Sequence, residues 1–136
     1  MSDTPCPARH QYAAGIIENY DDHVLIVRCP AEAAVPRQWL FPRGPVQPGE
    51  APEAALRHLL HEQLGLRVEI VVGQPPLVAM LDGEEVELRY FFCGIATGTP
   101  QAGPYAEFRF VSRLHLAEYD FDPASAEVAQ WLQHPR

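Results

Sequence analysis

The segment Ala51–Leu64 constrains the fold more than any other part of this sequence. Its leucines recur at four-residue spacing, which places them on one face of a helix: Leu56, Leu60 and Leu64. Pro52 suits a first helical turn, where its missing N–H is not needed, and Gly65 suits a helix stop. The pattern therefore predicts a helix over Ala51–Leu64, with one apolar face that packs against another layer.

Runs of β-branched and aromatic residues on both sides of this helix predict strands. They lie at His23–Arg28, Val68–Val72, Leu77–Leu81, Glu85–Ala96 and Phe108–Val111. The apolar segment Gln11–Tyr20 precedes an acidic turn and the first of these strands, which indicates a hairpin. The dipeptide Asp82-Gly83 indicates a second hairpin turn.

Three further segments complete the outline. The Ala- and Pro-rich residues Pro30–Pro36 predict a loop, and Trp39–Phe41 predicts a short strand that the next proline ends. The segment Ala124–Gln133 predicts a packed terminal helix, because its apolar residues lie at helical spacing: Val128, Trp131 and Leu132. Strands around one helix, with a second helix at the end, indicate an α/β layered domain.

The length of the chain suits a single domain. Its 136 residues are 47% hydrophobic, which is enough for one core. We assign residues 10–136 to the domain and residues 1–9 to a loose N-terminal tail, because the tail has Pro and charge but no apolar run. No stretch approaches the ~20 consecutive apolar residues of a membrane span, so we expect no membrane partner.

The charge of the chain argues against one class of partner. The formal net charge is −8 at pH 7, and the sequence contains no Lys. Because duplex nucleic acid is bound mainly through basic surface, we expect no such partner. A small phosphorylated ligand is still compatible with this negative charge, because a local Arg and a divalent metal can make the electrostatic potential inside a cleft positive. A homodimer is also left open.

The three cysteines, Cys6, Cys29 and Cys93, form no C-x-x-C pair. An odd number without that spacing argues against a disulfide framework and against a structural zinc site. We interpret them as buried or incidental thiols in a reducing compartment, which predicts a cytoplasmic protein.

The segment Trp39–Leu66 resembles the sequence box of the Nudix family. It reads WLFPRGPVQPGEAPEAALRHLLHEQLGL, and the family pattern is G-x5-E-x7-R-E-U-x-E-E-x-G-U, where U is aliphatic. Gly44, Glu50 and Gly65 match the pattern at its spacing, and Leu66 takes the last aliphatic position. The resemblance implies a Nudix-type α/β/α sandwich with a mixed central sheet, in a single domain.

Between these matches the sequence departs from the family pattern. His58 and Leu59 stand at the Arg-Glu positions, and the Glu-Glu pair becomes Glu62 and Gln63. A second register, with Arg57 as the motif arginine, needs a one-residue deletion and a one-residue insertion. Because one inserted residue rotates everything after it by about 100°, the leucine stripe favours the fixed spacing.

The departures bear on metal binding. In the family, three helix carboxylates at i, i+3 and i+4 hold Mg²⁺, which bridges the diphosphate and helps to activate water. Here those positions hold Leu59, Glu62 and Gln63. The resemblance implies Mg²⁺ or Mn²⁺ as a weakly bound cofactor, with Gly44, Glu50 and Glu62 as its ligands.

The resemblance also implies roles for residues around the box. Glu62 and Glu107 would be the catalytic acids, because Leu59 stands where many members place a general base and cannot take a proton. Arg43 and Tyr105 would bind the substrate, the arginine through a phosphate. Each residue also has a structural alternative. Glu62 could be a solvated helix acid and Glu107 an acid at a strand start. Arg43 could be a surface cation and Tyr105 a core aromatic residue.

Two functions are compatible with this pattern, ahead of a third, an interaction scaffold without a ligand. The first is a Nudix-like hydrolase of nucleoside diphosphate-linked compounds with impaired or atypical metal-dependent activity. The second is a non-catalytic nucleotide-binding or regulatory module on the same fold, which Leu59 on the metal face favours. The trio His58, His61 and Glu62 is either an exposed polar face or a transition-metal site.

Overall fold

The computed structural model of the 136-residue chain describes residues 10–30, 38–81 and 83–133. The predicted tail at residues 1–9, most of the predicted loop Pro30–Pro36, and Asp82 of the predicted turn lie outside the described residues. None of the helices in the described ranges is long and apolar enough to cross a membrane.

The described residues form eight strands and two α-helices. The strands are β1 (His10–Glu18), β2 (His23–Arg28), β3 (Trp39–Leu40), β4 (Arg43–Val46), β5 (Arg67–Gly73), β6 (Leu77–Leu81), β7 (Glu84–Thr97) and β8 (Glu107–Ser112). The helices are α1 (Pro52–Leu64) and α2 (Pro123–Gln133), and a 3₁₀ helix spans Arg113–Glu118. The predicted strands and both predicted helices are confirmed, with ends that differ by at most two residues, whereas β4 and the 3₁₀ helix were not predicted.

Strand β1 lies at the centre of a mixed sheet. The strand order is β3-β2-β1-β7-β5, and β1 runs parallel to β7 and antiparallel to β2. Strand β4 also pairs with β1, β6 with β7, and β8 with β2, all antiparallel. Residues 13–17 of β1 are all buried, which is typical of a strand that is covered on both faces.

Alternate residues of β1 enter two cores on opposite faces of the sheet. Ala13 and Ile17 belong to the core that also contains Leu56 of α1. Ala14 and Ile16 belong to the core that includes residues of α2. The two-residue period of a strand produces this division. The result is an α/β/α sandwich with a mixed central sheet, so the predicted fold class is confirmed.

The buried face of helix α1 agrees with the fixed register. Pro52 lies in its first turn, and Gly65 ends it in the left-handed region at a φ of 71°. The apolar stripe is confirmed, with exposed fractions of 0%, 0% and 1% for Leu56, Leu60 and Leu64. The shifted register would have placed Ala55, Leu59 and Gln63 on the core face. Ala55 is buried, but Leu59 and Gln63 are only half-buried.

Helix α2 packs through a narrower face than the sequence predicted. Val128 and Leu132 are 6% and 2% exposed, whereas Trp131 is 47% exposed, so the prediction of a packed Trp131 holds only in part. Val128 and Leu132 lie four residues apart and share the core face, and Trp131 is rotated about 100° from Leu132. Its ring lies at the border of the core, 5.9 Å from the ring of Phe92 between centroids.

Candidate functional site

Gly44 and Leu59 are in contact at the position where the family pattern implies a metal. Gly44 lies on β4, which crosses beside α1, and Leu59 lies on the flank of α1 next to the core stripe. A Cβ built on Gly44 would stand 2.8 Å from Cδ1 and 3.1 Å from Cδ2 of Leu59. The half-buried Leu59 side chain therefore fills the space directly over Gly44.

Gln63 lies one helical turn after Leu59 and is held by Tyr105. The Tyr105 hydroxyl donates to Oε1 of Gln63 at 3.1 Å. Burial raises the pKa of Tyr105, although the nearby Arg43 opposes this shift, so the hydroxyl remains a neutral donor. Gly44, Leu59, Gln63 and Tyr105 form one group of contacting residues, called the Leu59 cluster below.

The loop before β8 is fixed against the end of α1. The Gln101 N–H donates to the Leu64 carbonyl oxygen at 3.0 Å. Gly103 has a φ of 58°, and a Cβ there would lie 1.9 Å from the Gln63 carbonyl oxygen. Only glycine fits so close an approach, and this approach positions Tyr105 over Gln63.

The Leu59 cluster does not fit Mg²⁺. Magnesium requires several hard oxygen ligands in near-octahedral geometry. The cluster offers a hydrocarbon side chain and an amide oxygen that already accepts from Tyr105. Within residues 10–30, 38–81 and 83–133, no three His, Cys, Asp or Glu side chains are grouped so as to hold a metal ion. No chemical step through a metal follows from this geometry.

Glu62 faces solvent beside the Leu59 cluster. Its side chain is 64% exposed, and its Oε2 lies 3.1 Å from Nε2 of His58, which is 69% exposed. This is an i, i+4 contact on the helix surface, and such exposed pairs contribute little to stability. The trio with His61 thus lies on the exposed face of α1, with His58 and Glu62 in contact.

Glu50 closes a turn before α1. Its carboxylate accepts from the Gln47 N–H at 3.1 Å, and its own N–H donates to the Gln47 carbonyl oxygen at 2.9 Å. It lines a cleft of about 480 Å³ with Tyr12. Because the helical residues from Pro52 to Glu62 rise about 15 Å, Glu50 and Glu62 lie at opposite ends of α1 and are not brought together.

Glu107 starts β8 between two guanidinium groups. Its carboxylate lies 2.7 Å from Nε of Arg109 and 2.9 Å from Nη2 of Arg28. The hydrogen bond from Arg109 holds the pKa of Glu107 below its usual value, against a smaller opposing effect of burial. A carboxylate in this environment is a weaker proton acceptor than an isolated one.

Arg43 forms an ion pair with Asp122, the residue directly before helix α2. Its Nη2 lies 2.7 Å from Oδ2 of Asp122, and the two side chains are only 14% and 3% exposed. Oδ1 of Asp122 accepts from the Ser125 N–H at 2.9 Å, which makes Asp122 the N-cap of α2. Nη1 of Arg43 is buried without a hydrogen-bond partner in the described part of the chain.

Asp122 was missed at the sequence level, although a signal was present. An Asp directly before a Pro that starts an apolar helical pattern is typical of a helix N-cap. That signal predicts the cap alone. The pairing with Arg43 depends on how α2 packs across the sheet edge.

The layer order and the position of α1 define a Nudix-type domain. The chain belongs to the Nudix family, because the family model described as NUDIX domain matches residues 9–132. Members of this family generally use divalent metal ions such as Mg²⁺ or Mn²⁺.

Relatives and solved structures agree with this assignment. The chain is similar to the 8-oxo-dGTP diphosphatase of Escherichia coli (strain K12), at 27% identity over 123 residues that cover 90% of this chain and 95% of the relative. The MutT protein of Methanosarcina mazei Go1 has a TM-score of 0.79 at 16% identity, covering 96% of this chain and 94% of the other. An Ap4A hydrolase of C. elegans has a TM-score of 0.72 at 16% identity, covering 91% and 93%. The last two show the shared fold.

Proposed function

We propose that this chain is a Nudix hydrolase of nucleotides whose metal-dependent activity is impaired. The observation that carries the proposal is the contact between Leu59 and Gly44. A hydrocarbon occupies the side-chain position that the box gives to a metal ligand, and the neutral Gln63 occupies another. The reaction class is hydrolysis of a phosphoanhydride bond, and any Mg²⁺ or Mn²⁺ is bound weakly.

The similarity to an 8-oxo-dGTP diphosphatase supports a nucleoside triphosphate, or another nucleoside diphosphate-linked compound, as the ligand. Arg43 and Tyr105 are the proposed substrate contacts, and Nη1 of Arg43 lacks a protein partner among the described residues. Glu62 and Glu107 are the proposed catalytic acids, and Gly44 and Glu62 are the proposed metal ligands. Glu50, at the other end of α1, is too far from Glu62 to hold the same ion. Of these, Arg43 and Gly44 are neighbours on β4, and Arg43 interacts with Tyr105.

The test is a turnover assay over a panel of nucleotides, including 8-oxo-dGTP, with Mg²⁺, with Mn²⁺ and with EDTA. We expect low metal-dependent release of phosphate, pyrophosphate or nucleoside monophosphate. Glu62→Gln should reduce it, whereas Glu53→Gln, the same change in the first turn of α1, should not. Equal effects of these two variants would remove Glu62 from the site.

Calorimetric titration tests whether Mg²⁺ binding is weak. We expect no micromolar Mg²⁺ binding by the unmodified chain, and stronger binding by a variant that combines Leu59→Glu with Gln63→Glu. Micromolar Mg²⁺ binding by the unmodified chain would overturn the impaired metal site. If the double variant bound Mg²⁺ no more tightly than the unmodified chain, positions 59 and 63 would not be metal-ligand positions, and the fixed register would be wrong.

A second candidate is a non-catalytic nucleotide-binding module. The specific observation in its favour is the hydrogen bond between Tyr105 and Gln63, because it closes the Leu59 cluster with neutral groups. Under this candidate, a nucleotide raises the melting temperature without metal and without turnover, as expected for any ligand of the folded state. Turnover that requires metal would decide for the hydrolase.

A further inference from the structure

Two arginines differ from the others in their contacts. The remaining described arginines each donate to a carboxylate or to a backbone carbonyl oxygen: Arg28, Arg43, Arg89, Arg109 and Arg113. Arg57 and Arg67 have no such partner within the ranges that the structure describes. Their guanidinium groups are exposed and available to an external anion.

Arg57 and Arg67 line the same cleft. It has a volume of about 400 Å³, and its other lining residues are His58, His61 and Val68. Arg57 and His61 lie one turn apart on α1, and Arg67 is the first residue of β5. Among the described residues no carboxylate lines this cleft, but the carboxylate of Glu62 lies 3.1 Å from Nε2 of His58.

The Arg57–Arg67 cleft is separate from the Leu59 cluster. Arg57 and His61 each lie two residues from Leu59, which corresponds to about 160° around the helix axis. Leu59 faces Gly44, so Arg57 and His61 project from the other flank of α1, toward the start of β5. An anion bound there does not contact the residues of the Leu59 cluster.

We propose that the Arg57–Arg67 cleft binds a phosphate or pyrophosphate group of a small molecule. A guanidinium presents a planar fork of donors that matches phosphate oxygens in pairs. The two guanidinium groups reach a compact oxyanion from the helix side and the strand side, and His61 adds an imidazole, whereas His58 already pairs with Glu62. The net charge of −8 disfavours a long polyanion, because the remaining surface would repel it. The proposal does not depend on hydrolase activity.

The experiment is a titration of the full chain with inorganic phosphate, with pyrophosphate and with acetate, followed by NMR of the arginine Nε–Hε groups and by calorimetry. We expect saturable binding of phosphate or pyrophosphate that shifts the Arg57 and Arg67 signals. Arg57→Gln and Arg67→Gln should each weaken binding about 10-fold, the usual effect of losing a charged hydrogen bond. Arg113→Gln is the matched control, because it removes the same charge from an arginine that already pairs with Glu18.

Each contrary outcome overturns the proposal. Equal weakening by Arg113→Gln would show a general charge effect, and equally tight acetate binding would show no phosphate recognition. Loss of phosphate binding in Leu59→Glu would place the anion at the Leu59 cluster instead. Because the readout is binding by the intact chain, absence of nucleotide turnover leaves this result unaffected.

Discussion

The contact between Gly44 and Leu59 predicts the outcome of a double-mutant cycle. Gly44→Ala adds a Cβ that would stand 2.8 Å from Leu59 Cδ1, whereas carbon atoms pack best at about 3.5–4.0 Å. The leucine has to move by about 0.7–1.2 Å. Overpacking of this kind costs about 1–3 kcal/mol, and we expect about 1–2 kcal/mol because the displaced atoms end a flexible side chain.

The second arm of the cycle removes the Leu59 side chain. In a Leu59→Ala background the Cδ atoms are absent, so Gly44→Ala should change the free energy of unfolding by less than about 0.5 kcal/mol. Neither Gly44 nor Gly94 has a positive φ, so backbone strain does not enter. Gly94→Ala is the matched control, because nothing lies within 4 Å of its added Cβ.

Urea unfolding monitored by far-UV circular dichroism measures the cycle. The coupling energy between positions 44 and 59 should be about 1–2 kcal/mol, and Gly94→Ala should show the small stabilisation that a lost glycine brings, up to about 1 kcal/mol. If Gly44→Ala cost the same in both backgrounds, Leu59 would not lie over Gly44. The proposal of an impaired metal site would then lose its structural support.

Charged and buried groups elsewhere give three further tests. Asp122→Asn keeps the N-cap acceptor but leaves the Arg43 side chain, which is 14% exposed, without its carboxylate partner. Breaking such a pair should lower the free energy of unfolding by about 3–5 kcal/mol, as measured by urea unfolding. A loss under about 1 kcal/mol would contradict the pairing. Burial raises the pKa of Cys93 from 9.0 to about 12, so the folded thiol keeps a proton that the unfolded thiol loses, and stability should fall as pH rises above 9. A Cys93→Ala variant should show a shallower alkaline fall, and an unchanged slope would contradict burial as its cause. The hydrogen bond from Arg109 lowers the pKa of Glu107 below its usual value. Its stabilising effect is therefore present above the unfolded pKa and is lost as pH falls through the lower folded pKa. Glu107→Gln should reduce that acid dependence, as measured by urea midpoints from neutral to acidic pH.

The helices and most strands were predictable because they depend on local periodicity. The leucine stripe of α1 and the β-branched runs of β2 and β5 carry their own signal. Strand β4 carries none, since Gly44 and Pro45 both disfavour strands. It forms because it pairs with β1, with Pro45 opposite Tyr12 and Gly44 opposite Ala13. Tertiary pairing decides its structure, and a single sequence does not show pairing.

The site was predictable only where roles follow from the register of α1. That register predicted that Leu59 and Gln63 take positions where the family pattern has metal ligands, whereas the contact between Leu59 and Gly44 was not predicted. The partners of Arg43 and Glu107 depend on elements far apart in the chain, so sequence did not indicate that Asp122, Arg28 or Arg109 would hold them. Ion pairing changes what both residues can do, because a paired carboxylate is a weaker base and a paired guanidinium is less available.

The composition of α1 predicts how its stability responds to metal. Like charges at i, i+4 destabilise a helix by about 0.2–0.5 kcal/mol per pair, so a helix with three clustered acids benefits when a cation neutralises them. In this chain Leu59 and Gln63 remove that repulsion, and Glu62 already lies beside His58. The fold therefore carries no acid cluster on this part of α1 that requires a divalent ion.

We accordingly expect the melting temperature to be the same, within about 1 °C, in EDTA and in millimolar Mg²⁺. An ion at a hundred times its dissociation constant would add about 2.7 kcal/mol, a shift of several degrees for a domain of this size. The variant with Leu59→Glu and Gln63→Glu restores acids at i, i+3 and i+4, so it should melt lower in EDTA and recover in Mg²⁺. Metal-dependent melting of the unmodified chain would refute this account of α1. A double variant that is destabilised but not rescued would show that Gly44 and its neighbours no longer shape a magnesium site even when the carboxylates return.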